Sequence, residues 1–86
     1  MKWRITVDHV EYKTDDLAVS CTYDDKLNGT LTPFRMYDDD DTLYYEGEGD
    51  FYNNNVTGFE PLDDYGMPNA GCTRIDWFEN GKWNIL

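Results

Sequence analysis

The run Thr73-Arg74-Ile75-Asp76-Trp77-Phe78-Glu79-Asn80-Gly81-Lys82-Trp83-Asn84-Ile85 constrains the fold of this chain more than any other stretch. Thr73, Ile75 and Trp77 alternate with Arg74, Asp76 and Phe78, the period of two that sends successive side chains to opposite faces of a strand. Asn80-Gly81 then supplies the positive φ angles of a tight turn before Trp83 and Ile85, which predicts an antiparallel hairpin.

The same reading extends upstream. In residues 2–12, Trp3, Ile5 and Val7 alternate with Arg4, Thr6 and Asp8. After a polar turn at 12–16, Leu17, Val19, Cys21 and Tyr23 alternate with Ala18, Ser20, Thr22 and Asp24, so a first hairpin is predicted. Asn28-Gly29 closes a turn-forming stretch at 24–29. Residues 31–37 are extended, with Phe34 and Met36 on one face and Arg35 and Tyr37 on the other. Pro33 confines their start to an edge or a strand beginning. Leu43, Tyr44 and Tyr45 carry the return strand at 42–46, which sets Asp38, Asp39, Asp40 and Asp41 at the apex of a second hairpin. Residues 47–58, GEGDFYNNNVTG, lack any period and read as a loop. Residues 60–66 suit one helical turn, with Pro61 early, Asp63 and Asp64 in its first turn and Gly66 as its stop, after which residues 67–71 turn the chain back. The predicted fold is a single domain over residues 1–86, mainly β: an antiparallel meander of about six short strands in three hairpins, a curled sheet or small barrel. Its core is expected to gather Trp3, Ile5, Val7, Val19, Phe34, Met36, Ile75, Trp77 and Trp83.

Charge bounds the partners. Eighteen Asp and Glu against seven Lys and Arg give a net charge of −11. That field opposes direct binding of nucleic acid or an anionic membrane, which are held through Lys and Arg, and favours cations or basic protein surfaces. Acidic chains are often disordered, but an aromatic share of 16 % supplies the apolar area that a small core needs. The first twelve residues carry charge throughout, unlike a signal peptide, and no run of about 18 apolar residues exists, so a cytoplasmic location is the expectation. Cys21 and Cys72 match no metal or redox spacing and read as two reduced, packed thiols. The glycosylation sequons at 28–30 and 55–57 read as turns in that setting.

Catalytic and metal motifs are not assembled by spacing. An EF-hand loop begun at Asp38 places Leu43 where glycine is required and Gly49 where glutamate is required. A looser divalent-cation site on neighbouring carboxylates stays open. His9 is the only histidine and lies near a strand end; Ser20 has no nucleophile elbow; GEGDF lacks the lysine and helix of a phosphate loop. No nucleophile and base can be paired, and the expectation is a non-enzymatic protein with no cofactor and no resident metal.

A binding surface fits better. Acids recur in bands, with tyrosines among them, and carboxylates beside aromatic rings suit Arg-rich surfaces. The candidate contact residues are Asp38, Asp39, Asp40, Asp41, Tyr44, Tyr45, Glu46, Glu48, Asp63 and Asp64. In its size, acidity and β-rich pattern, with the tracts FRMYDDDDTLYYEGEGD and EPLDDYGMPNAGCTRIDWFENGKW, the chain resembles short acidic proteins carried by bacteria, phages and mobile elements. Some of these are DNA mimics or anti-defence inhibitors, including anti-CRISPR and anti-restriction proteins. The resemblance implies an inhibitor that engages a nucleic-acid-binding host protein by charge mimicry. The alternatives are an assembly module that forms a homodimer through a sheet edge such as residues 31–37, and a divalent-cation-binding domain.

Overall fold

The computed structural model of the chain describes residues 1–19, 31–52 and 55–86. Five strands form where the alternation is sustained: β1 (Trp3–Asp8), β2 (Thr32–Tyr37), β3 (Leu43–Gly49), β4 (Arg74–Glu79) and β5 (Lys82–Ile85). They make one antiparallel, unclosed sheet in the order β1-β3-β2-β4-β5. The fold is mainly β as the pattern indicates, with five strands among the described residues where about six were expected, and of the two expected forms, curled sheet or small barrel, the sheet is not closed into a barrel.

The second and third hairpins form as predicted. Asn80 (φ 54°) and Gly81 (φ 79°) provide the left-handed pair between β4 and β5. The first hairpin is different: β1 takes β3 as its ladder partner, while residues 17–19 run beside β1 through an Arg4–Val19 bridge and an Ile5 N–H to Ala18 carbonyl bond of 2.8 Å. Val19 is consequently an exposed residue rather than a core one. Ser20, Cys21, Thr22, Tyr23 and the turn expected at 24–29 lie outside the described residues.

Two expectations are corrected by packing. Residues 31–37 are not an edge, because β2 lies at the centre of the sheet between β3 and β4. Pro33 is accommodated because the β4 ladder starts one residue later, at Phe34 opposite Trp77. The loop expected from residue 47 begins later, since β3 continues to Gly49. Glu46 and Glu48 alternate with Gly47 and Gly49, and the glycines face inward, where a Cβ on Gly47 would overlap both the Arg4 carbonyl and the Phe34 ring. The period of two is present there, but hydropathy does not register it because the inward residues have no side chain.

Trp3, Ile5, Phe34, Met36, Ile75 and Trp77 form the strand contribution to the core, joined by Tyr45, Leu62 and Cys72. Trp77 is its centre: Phe34 meets it edge-on at 5.1 Å, Phe51 stacks on it at 4.6 Å, and its indole N–H donates to the Gly58 carbonyl at 2.9 Å. Removing one such indole from water is worth on the order of 4–6 kcal/mol before entropy is counted. A register shift between Ile5 and Val7 leaves Val7 half-buried, and Trp83 pairs with Phe78, so it follows Phe78 to the outer face.

The inner face is covered by the segment after β3 and by a helical segment in which a π-helical turn, Leu62–Gly66, runs directly into α1 (Met67–Ala70). The Met67 N–H reaches back to the Leu62 carbonyl, ahead of Pro68, which has no N–H to give. The stop is therefore Gly71 (φ 70°) rather than Gly66, which is buried against Met36 and Cys72. Tyr65 holds this segment to the sheet, with its ring 5.0 Å from Tyr45 and 5.8 Å from Trp3. Among the described residues, no helix is long and apolar enough to cross a membrane.

Candidate functional site

The four consecutive aspartates fill a short hairpin loop whose geometry explains two of them. The Asp41 N–H bonds to the Asp38 carbonyl at 3.2 Å, and Asp41 adopts the left-handed conformation (φ 61°) that Asp tolerates better than most residues. The Asp38 carboxylate folds back on the loop: Oδ1 accepts from the N–H groups of Asp40 and Thr42, both at 2.9 Å, and Oδ2 accepts from the Tyr44 hydroxyl at 3.1 Å. Bonding by the Thr42 N–H, then by Asp40 and Tyr44, holds the Asp38 carboxyl below the usual carboxylate range. The bond to Asp38 raises the Tyr44 phenol in return. Asp39 accepts from the Thr73 hydroxyl at 2.6 Å, and Asp41 pairs with Arg74. Asp40 is exposed and makes no side-chain hydrogen bond or ion pair among the described residues.

The other candidates separate. Tyr45 is 3 % exposed and belongs to the core, where burial pushes its phenol up strongly. Glu46 and Glu48 lie on the outer face of the sheet. Glu46 accepts from Arg35 at 3.2 Å and meets His9 Nε2 at 2.8 Å, and Glu48 pairs with Arg4. Partial burial of Glu46 opposes ionisation, but bonding to His9 and Arg35 outweighs it and lowers its pKa. Asp63 and Asp64 are exposed on the π-helical turn, on the opposite side of the sheet from Glu46 and Glu48.

The sheet brings a second acidic turn to the site. Because β1 and β2 both pair antiparallel with β3, their C-terminal ends emerge together. Asp8 opposes Tyr45 as Met36 does, and the His9 N–H bonds the Tyr44 carbonyl at 2.9 Å. The turn after β1 therefore leaves the sheet at the same end as the aspartate loop. Asp8, 3 % exposed, anchors this turn by accepting from the N–H groups of Val10 (2.8 Å) and Glu11 (2.9 Å). Beyond it, Asp15 and Asp16 are exposed and make no side-chain hydrogen bond or ion pair among the described residues. The helical segment lies close to this turn, since Tyr65 senses the charges of Asp8, Lys13 and Glu11. Sequence reading saw a polar turn at 12–16 but could not bring the turn that Asp8 anchors to the end that carries Asp40, because that juxtaposition comes from the non-sequential β1-β3-β2 order. Asp15 and Asp16 lie on the segment that returns along β1, between the Asp8–Lys13 and Arg4–Val19 bridges. The Thr73 and Arg74 partners carried no signal in the chain.

Chemically, this end of the sheet is an array of carboxylates with two half-buried tyrosines, Tyr37 and Tyr44, and with the Arg74 guanidinium between Asp41 and the Tyr37 ring. Among the described residues, no group of three or more His, Cys, Asp or Glu is arranged to hold a metal ion. Both Asp38 oxygens are taken by N–H and O–H donors, and Asp41 is taken by a guanidinium. Comparison of the chain with protein-family models, with curated proteins and with solved structures finds no match.

Proposed function

We propose that this chain is a non-enzymatic acidic binding protein that docks the β1–β2 end of its sheet onto a basic protein surface. One observation carries the reading: the fold delivers two acidic turns from separate parts of the sequence to one end of the sheet. Asp40 there, and Asp15 and Asp16 on the segment that returns along β1, form no ion pair among the described residues, on a chain of net charge −11. Asp38, Asp39 and Asp41 shape the loop that presents Asp40, and Tyr44 braces Asp38 from behind. Asp63 and Asp64 add charge from the neighbouring helical turn. Tyr45 makes no contact with the partner, and Glu46 and Glu48 serve the outer face instead.

In its finer form the partner is a nucleic-acid-binding host protein, and the acidic end occupies the groove that would otherwise hold phosphates. Phosphates follow one another about 6–7 Å apart along a strand, a spacing that carboxylates on adjacent turns can imitate. An inhibitor of the kind carried by phages and mobile elements would work in this way.

The test is capture of partners from a bacterial lysate on the immobilised protein at low ionic strength, released by a salt gradient and compared with an Asp15→Asn/Asp16→Asn/Asp40→Asn variant. These three side chains support no hydrogen bond among the described residues, so the variant keeps its fold. A specific basic partner should elute markedly earlier from the variant, because exposed charges act on the association rate and its salt dependence. Identical elution from both columns would remove the acidic end from the binding surface.

A further inference from the structure

We infer that the outer face of the sheet is a self-association surface that pairs two copies of this chain face to face. No described element covers this face. All three arginines of the chain stand on it or reach across it, Arg4 from β1, Arg35 from β2 and Arg74 from β4. Each is matched by a carboxylate of the same face: Arg4 by Glu48, Arg35 by Glu46, and Arg74 by Asp76 at 3.0 Å. These six charges cancel, and Asp41, which shares Arg74, adds one carboxylate at the rim, so most of the net charge of −11 resides on other surfaces. A second copy approaching anywhere else meets repulsion, whereas here it meets a surface of alternating sign.

The pattern is also self-complementary. Glu46, Arg35 and Asp76 are cross-strand neighbours, in register on β3, β2 and β4. A two-fold axis with an offset of one strand, about 4.8 Å, sets Arg35 of each copy against Glu46 of the other, the reciprocal contact that an isologous interface requires. Beside the charges lies an apolar portion made by Phe78, 37 % exposed, Ile85, 68 % exposed, and Trp83, whose ring carries the Arg35 guanidinium 4.3 Å from its centroid. Five strands about 4.8 Å apart and about 20 Å long give a face of roughly 500 Å² in plan. Two such faces bury on the order of 1,000 Å² in total, at the lower end of specific interfaces, which makes the dimer weak and concentration-dependent.

The dimer leaves both acidic ends free, and salt separates the two surfaces experimentally. Raising salt screens the repulsion between the two negative molecules and strengthens the dimer, while it weakens docking of a basic partner. The experiment is sedimentation equilibrium of the full chain up to about 1 mM protein, at about 0.02 M and about 0.5 M sodium chloride, with Phe78→Lys as the variant. Phe78 sits on β4, inside the sheet edge, so its replacement breaks a face-to-face dimer and spares one paired through the β5 edge; circular dichroism checks that the variant is folded. The expected result is a monomer–dimer equilibrium at least several-fold tighter at high salt and lost in the folded variant. A wild-type monomer throughout, a dimer that weakens with salt, or a folded variant that dimerises like wild type overturns the inference. If Phe78→Lys does not fold, Ile85→Lys at the more exposed position is judged by the same outcomes.

Discussion

Replacing Gly47 with alanine tests the geometry on which the sheet depends. The added methyl would overlap the carbonyl of Arg4 on β1 and the ring of Phe34, which is 0 % exposed. The ring can tilt only into a filled core, and the carbonyl can move only by bending β1 away from β3. Overpacking of this kind costs about 1–3 kcal/mol, and two simultaneous overlaps, one with backbone, place Gly47→Ala near the top of that range. The gain from removing a flexible glycine from a strand, about 0.5–1 kcal/mol, leaves a net loss of about 2 kcal/mol. For a chain of this length that lowers the melting temperature by about 8–16 °C. Gly49→Ala is the internal control: its methyl would lie 3.1 Å from the Lys2 carbonyl and 3.2 Å from Trp3 Cβ, so its loss should be smaller. Urea unfolding followed by tryptophan fluorescence gives each value, and a double-mutant cycle with Phe34→Leu isolates the ring. The penalty of the Gly47 substitution should fall by about 1 kcal/mol in the Phe34→Leu background without vanishing, since the carbonyl overlap remains. A Gly47→Ala protein within about 0.5 kcal/mol of wild type, or a penalty indifferent to Phe34, would refute the register of β1 and β2 on β3.

Asp8→Ala leaves the Val10 and Glu11 N–H groups without their acceptor and should cost about 2 kcal/mol in urea unfolding, with faster amide exchange in the turn after β1; unchanged exchange at Val10 and Glu11 would contradict the anchoring role. Asp38 has a folded pKa below its unfolded one, so its contribution is complete above the ordinary carboxyl range and is lost as pH falls through the lowered value. The melting-temperature gap between wild type and Asp38→Asn should therefore be constant from about pH 7 to about pH 5 and close between about pH 4 and about pH 2; a gap that survives at the acid end would contradict the carboxylate's role in the loop. Burial pushes the Cys72 thiol up to about 11, so in a Cys21→Ser background it should resist alkylation near neutral pH until denaturant opens the core, and labelling at the rate of a free thiol would contradict its placement.

Elements whose signal is local were legible in the chain. The β4–β5 hairpin follows from Asn80-Gly81 and the β2–β3 hairpin from alternation on both sides of the aspartates, and six of the nine expected core residues are buried. What stayed hidden depends on long-range pairing. Nothing in residues 2–19 announces that β1 will prefer β3 to the segment that follows it, and the inward glycines of β3 mimic a loop because the aromatic rings that need their space come from other strands. Pro33 left an edge and a strand beginning open, and it is the strand beginning that forms, with the β4 ladder starting just beyond it. The candidate surface was legible as charge but not as geometry. Glu46 and Glu48 differ from Asp15, Asp16 and Asp40 only in having arginines and a histidine opposite them, and those partners lie as many as 44 residues away along the chain.

Amide chemical-shift mapping is the sharpest probe of whether the β1–β2 end of the sheet receives a basic surface. A short arginine-rich peptide serves as the probe, titrated into labelled protein at low ionic strength. Shifts should concentrate at residues 11–16 and 38–42, with smaller ones at Asp63 and Asp64, and should be lost as salt rises toward about 0.5 M, where screening extends to a few ångströms. Shifts spread evenly over the acidic residues, or centred on Arg35, Phe78 and Trp83 of the outer face, would contradict docking at that end.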